Sequence, residues 1–123
     1  MCIRDSFRLG WLQDEVKRGQ YEESLVLFER MLKKDGQDVE VLYARGEVYR
    51  TRDEGGDVDQ ALADLDRASR LAKPPAETFR SLGLVHKQRR DRAAAAQAFE
   101  TYLARAPEAA DAEMVRSYLV ELK

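Results

Sequence analysis

Apolar residues recur along the chain at three- and four-residue steps, and no stretch alternates apolar with polar positions as a half-buried strand would. Leu9, Leu12 and Val16 make one such stripe, and Tyr21, Leu25, Phe28 and Leu32 make the next. The same spacing returns in Leu42, Gly46 and Tyr49, in Ala61, Leu65 and Ala68, in Phe79, Leu82, Gly83 and His86, and in Ala95, Phe99 and Tyr102. After Pro107 a last amphipathic segment, Asp111 to Leu122, places Met114, Val115, Tyr118, Leu119 and Leu122 on one side. The pattern predicts helices throughout, each with one buried stripe and a wide solvated face.

These stripes are copies of one unit. Leu42, Gly46, Tyr49, Ala61, Leu65 and Ala68 align with Phe79, Gly83, His86, Ala95, Phe99 and Tyr102. Ala61 to Ala95 and Leu65 to Phe99 are each 34 residues apart, whereas Leu42 to Phe79 and Gly46 to Gly83 are 37 apart. The excess falls in Arg52-Asp53-Glu54-Gly55-Gly56-Asp57, a polar, glycine-bearing stretch that reads as an enlarged turn inside a helical hairpin. An earlier copy lies in Gly19 to Leu32, where Ser24 and Phe28 correspond to Ala61 and Leu65; its first helix fits only if the turn is shortened by one residue.

Boundary signals agree with helices of this length. Gly36 and Asp38 suit the end of one helix and the N-cap of the next, Asp57 with Gln60 has the spacing of a capping box, and Pro74-Pro75 and Pro107 fall between helices. Lys33, Lys34, Arg70, Lys73 and Arg105 sit near expected C-termini, where the helix dipole favours positive charge.

Phe79-x-x-Leu82-Gly83-x-x-His86, then Ala95-x-x-x-Phe99 and Pro107, resembles a tetratricopeptide repeat, and the 34-residue spacing is that family's period. The second unit resembles it through Leu42, Gly46, Tyr49, Ala61, Leu65 and Ala68, with Arg45 where the family usually has leucine and the proline displaced to Pro74. The first departs most, with Gln13 at a small-residue position and Gly36 for proline. The resemblance covers roughly Leu9 to Pro107 and implies an all-α, right-handed superhelical solenoid of about three helical hairpins plus a C-terminal capping helix. The expected limits are 7–36, 38–73 with the enlarged turn at 52–57, 74–107, and a cap at 110–123. Gly46, Gly83, Ala61 and Ala95 are expected at the helix crossings, where small residues allow close approach.

The resemblance further implies a scaffold that binds a protein or peptide on the concave face lined by the first helix of each repeat. Carried onto this sequence, the groove-facing positions are Tyr43, Glu47 and Arg50 from the second repeat and Arg80, Leu84 and Lys87 from the third. Members that grip a terminal carboxylate of chaperones use basic and amide residues; the matching positions here include Gly10, Asp14, Glu77 and Ser81, so that clamp is missing.

Composition narrows the chemistry. A net charge of -2 gives no positive field to draw in nucleic acid or an anionic membrane. The basic run Lys87-Gln88-Arg89-Arg90-Asp91-Arg92 lacks interleaved aromatics and reads as a helix end and its turn, so no nucleic acid is expected. No apolar run reaches the roughly 20 residues of a membrane-spanning helix. With one histidine, one cysteine, no His-Glu-x-x-His pair, no phosphate-cradling glycine loop and no nucleophile elbow, we expect no enzyme activity, no metal and no cofactor. His86 occupies the Tyr49 position and reads as a packing residue, as do Trp11 and Tyr21; Asp53, Glu54, Asp57 and Asp59 read as a solvated turn without the calcium-loop spacing.

Met1-Cys2-Ile3-Arg4-Asp5-Ser6 resembles a translated transposase adapter of sequencing libraries, so residues 1–6 are read as a non-native scar and excluded from fold reasoning. The native frame is then expected to continue upstream of Phe7. The segment from Ala98 through Leu119 is similar to tails of bacterial repeat proteins, some attached to zinc metallopeptidases. An alternative reading is therefore an accessory tail of an enzyme whose catalytic domain lies upstream. Self-association through the atypical first hairpin is a third expectation.

Overall fold

The structure, a computed structural model, describes the backbone of residues 6–122 and the side chains of residues 19–122. Six helices follow one another: α1 (Ser6–Lys34), α2 (Val39–Arg52), α3 (Asp57–Arg70), α4 (Glu77–Gln88), α5 (Arg92–Arg105) and α6 (Ala112–Leu122), with no strand among the described residues. The most extensive packing is within two hairpins, α2 on α3 and α4 on α5; α3 stacks on α4, α1 packs on α2, and α6 covers α5. This is an all-α helical repeat.

The small residues sit at the crossings. Gly46 and Gly83 are buried and Ala61 and Ala95 are completely so. A Cβ added to Gly46 would lie 2.7 Å from Leu65 Cγ, and one added to Gly83 would run into the Phe99 ring. Close approach of the two helices thus depends on the missing side chain at one residue per hairpin. Leu65, Leu82, Val85, Ala61 and Ala98 form one core cluster, and Phe99, Tyr102, Ala95 and Val115 form the next.

Side-chain caps start two of the helices. The Asp38 carboxylate accepts from Val41 N–H at the start of α2, and Asp91 does the same for Ala94 at the start of α5. The turn between α2 and α3 shrinks to residues 53–56, with Asp53 and Gly56 in the left-handed region (φ 50° and 80°). The expected capping box of Asp57 and Gln60 does not form, because Gly56 takes the N-cap position and the Asp57 carboxylate turns back to Arg52. Arg52 donates to it through Nε at 2.7 Å and a second nitrogen at 2.8 Å, and Glu54 N–H adds a third bond at 3.0 Å.

Two further expectations differ from the structure described. Where a hairpin is expected over 7–36, residues 6–34 run as one helix, α1. Nothing in the intervening sequence stops it: there is no proline, Gly19 alone weakens a helix by only about 1 kcal/mol, and the fitted turn was one residue short. In α6, Val115 is buried and Tyr118, Leu119 and Leu122 are half-buried as expected, but Met114 is 47% exposed, because the inward stripe extends back through Ala112. Readings that rest on residues 1–5, Cys2 among them, and on the side chains of Ser6, Leu9, Gly10, Trp11, Leu12, Gln13, Asp14 and Val16 lie outside the described residues.

Candidate functional site

Tyr43, Glu47 and Arg50 are spaced by four and three residues on α2, so they share one helix face; Arg80, Leu84 and Lys87 do the same on α4. All but Lys87 are half-buried, and Lys87 is exposed. The two rows meet at Arg80, whose guanidinium lies 3.4 Å from the Tyr43 hydroxyl and donates to Asp111 at 3.0 Å. Asp111, just ahead of α6, also accepts from the Tyr102 hydroxyl of α5 at 2.5 Å. A polar ladder therefore runs from α2 through α4 to the start of α6.

Each predicted cation of this face has a partner within the chain. Arg50 forms a two-pronged pair with Glu47 at 2.9 and 3.0 Å. Lys87 stands 4.6 Å from the centre of the Tyr118 ring and 4.0 Å from the Glu121 carboxylate. Burial pushes the Glu47 carboxyl up, but the hydrogen bonds and charge of Arg50 outweigh it and hold the group below its ordinary value. Asp111 is held low by the Tyr102 hydroxyl and by Arg80. Burial, and then the neighbouring carboxylate, raises the Tyr102 hydroxyl above the usual phenol range. The Glu47 and Asp111 carboxylates are thus held in their ionised forms and already compensated.

Leu84 joins the apolar cluster around Phe99 and Val115, so it contributes more to the scaffold than to an open surface. Asp111, Tyr102 and Tyr118 were missed in the sequence, where they read only as a helix N-terminus and as packing aromatics. Spacing alone could not reveal them, because they enter this face from α5 and α6 through tertiary packing. Of the chaperone-clamp positions that are described, Glu77 is exposed while Ser81 is wholly buried and out of reach of a ligand.

The remaining candidate chemistry is occupied by internal pairs. Asp57 is tied to Arg52 and Asp59 to Arg89, so the acidic turn faces guanidinium groups. Within the basic run, Arg92 donates to the Glu121 carbonyl at 2.8 Å and Asp91 caps α5. His86 is half-buried, and among the described residues no group of His, Cys, Asp and Glu side chains is placed to hold a metal ion. Among the same residues, no helix is long and apolar enough to cross a membrane. An open cavity of about 610 Å³ lies at one end of the α2 row, lined by Asp38, Glu40, Tyr43, Lys73, Pro75 and Glu77 among others.

A family model described as a tetratricopeptide repeat matches residues 9–74 and 80–122. No curated protein matches the chain.

Proposed function

Because the chain belongs to the tetratricopeptide repeat family, we propose that it is a protein-interaction scaffold that receives a partner segment along the face shared by α2, α4 and the start of α6. In a stack of hairpins the first helices of successive repeats line the concave side. The observation that carries the reading is the Tyr43–Arg80–Asp111 ladder, in which half-buried polar groups from α2, α4 and the turn before α6 form one continuous row.

The pairing of the cations says what kind of partner fits. A free carboxylate would have to displace Asp111 from Arg80 or Glu47 from Arg50, and each displacement would leave a partly buried acid without its guanidinium. A segment of low net charge, held through its backbone groups and small apolar side chains beside Tyr43, suits the row better.

A photo-reactive phenylalanine analogue placed at Tyr43, which lines the open cavity, and as a control at the exposed Gln97 of α5, tests this in the native host. Adducts specific to the Tyr43 position, competed by excess unmodified protein, are expected. Identical adducts at both positions, or none at Tyr43, would remove the assignment of this face.

A further inference from the structure

Charge along the proposed face is compensated in the middle and open at both ends. Arg50 is paired with Glu47 and Arg80 with Asp111. Toward the N-termini of α2 and α4, the 610 Å³ cavity presents three carboxylates, Asp38, Glu40 and Glu77, against one ammonium, Lys73. Asp38 is taken up in capping α2, while Glu40, Glu77 and Lys73 are exposed and form no ion pair among the described residues. Val39, Tyr43 and Pro75, all half-buried, give the same cavity an apolar wall.

At the other end the sign reverses. A second cavity, of about 450 Å³, is lined by Lys87 of α4, Arg90 of the following turn, Arg92 at the start of α5 and Glu121 near the end of α6. Three cations there face one carboxylate. Lys87 stands 4.0 Å from Glu121, Arg92 donates to the neutral main-chain carbonyl of Glu121, and Arg90 has no ion-pair partner among the described residues. Glu77, Arg80, Leu84 and Lys87 follow one another at helical spacing, so one face of α4 joins the acidic cavity to the basic one.

We infer that the segment received on this face is dipolar, with a lysine or arginine in the first cavity and an aspartate or glutamate in the second. The inference rests on the face proposed above and adds what the partner must carry. A long basic side chain suits the first cavity twice over: its methylene stem packs on Tyr43, Val39 and Pro75, and its charged head meets Glu40 and Glu77. A carboxylate in the second cavity meets Arg90 and Arg92 without taking a guanidinium from any acid, which the middle of the row would require. The two charges cancel, so the segment keeps its low net charge, and entry in the reverse direction sets like charges together. Glu77 and Lys87 are about 15 Å apart along α4, and one helix spacing of about 9 Å separates the α2 side from the α6 side. The two partner charges therefore stand roughly 18 Å apart, about five or six residues of extended chain.

Random dodecapeptides displayed on phage and panned against the full chain read this pattern directly. Enriched sequences are expected to carry a basic and an acidic residue five or six positions apart. With a synthetic peptide of such a sequence, followed by fluorescence anisotropy, Glu40→Lys/Glu77→Lys should weaken binding at least tenfold, and replacing the peptide's basic residue by glutamate should restore most of it. Arg90→Glu/Arg92→Glu should act in the same way on the acidic end. All four positions are exposed, so circular dichroism should be unchanged. Enriched peptides that label the chain carrying the photo-reactive analogue at Tyr43, yet show no such charge pattern or ignore the reversals, would overturn the dipolar assignment and leave the face standing. Peptides that neither label that position nor respond to the reversals, or a failure to enrich any, would remove both.

Discussion

The Arg45 guanidinium grips the Asp64 carboxylate across the α2–α3 hairpin, through Nε at 2.7 Å and a second nitrogen at 2.8 Å, at the place where the next hairpin sets Leu82 beside Ala98. Asp64 is 4% exposed, so an apolar contact in one repeat has been exchanged for a nearly buried ion pair in the other. The family's usual leucine and this chain's arginine are alternative solutions to one packing position, each requiring its own partner on the facing helix.

Arg45→Leu alone should therefore destabilise the chain by about 2–4 kcal/mol, because it leaves Asp64 charged, desolvated and unpaired. The double variant Arg45→Leu/Asp64→Ala should recover most of that loss. Urea unfolding of the three proteins checks it, and a double variant no better than the single one would contradict the pairing.

Glycine substitutions should separate by location. Gly83→Ala drives a methyl into the Phe99 ring and Gly46→Ala drives one against Cγ of the wholly buried Leu65, so each is expected to cost about 1–3 kcal/mol. Nothing lies within 4 Å of a Cβ at Gly19, so Gly19→Ala should stabilise an unbroken α1 by up to about 1 kcal/mol. Thermal unfolding followed by circular dichroism would rank the three, and a destabilising Gly19→Ala would argue for a turn at that residue.

Acid should loosen the α2–α3 turn. The hydrogen bonds of Arg52 hold the Asp57 carboxyl below its ordinary value. A group depressed in the folded state stabilises above its unfolded pKa and loses that contribution as pH falls toward the folded value. The stabilisation is thus complete at neutral pH and declines below about pH 4. Asp57→Asn should lower stability at pH 7 by on the order of 2 kcal/mol and flatten the decline between neutrality and pH 3. Denaturant midpoints across that range provide the measurement.

Thr78 is completely buried near the start of α4, and its hydroxyl has no hydrogen-bond partner. Thr78→Val keeps the shape and removes the unsatisfied group, so stability should rise by about 1 kcal/mol. A rise of several degrees in Tm is expected; a fall would mean that the hydroxyl is bonded in solution.

Helical class, repeat spacing, the small residues at the crossings and the Asp38 cap were all legible in the sequence, because each depends on residues a few positions apart or on one short period. Gly46 and Ala61 align with Gly83 and Ala95, and the family resemblance implied that these small residues sit at the helix crossings. The six groove positions came from the family resemblance, and their three- and four-residue spacing then puts each set of three on one face of a regular helix.

What tertiary structure decided lies in the contacts between helices. Asp111 and Tyr102 join Arg80 only because α5 and α6 pack beside α4, and Asp57 abandons its capping role because Arg52 reaches it across the turn. Local pattern determines which residues can form a helix and which side of it is apolar; only the packed neighbours determine what that side meets.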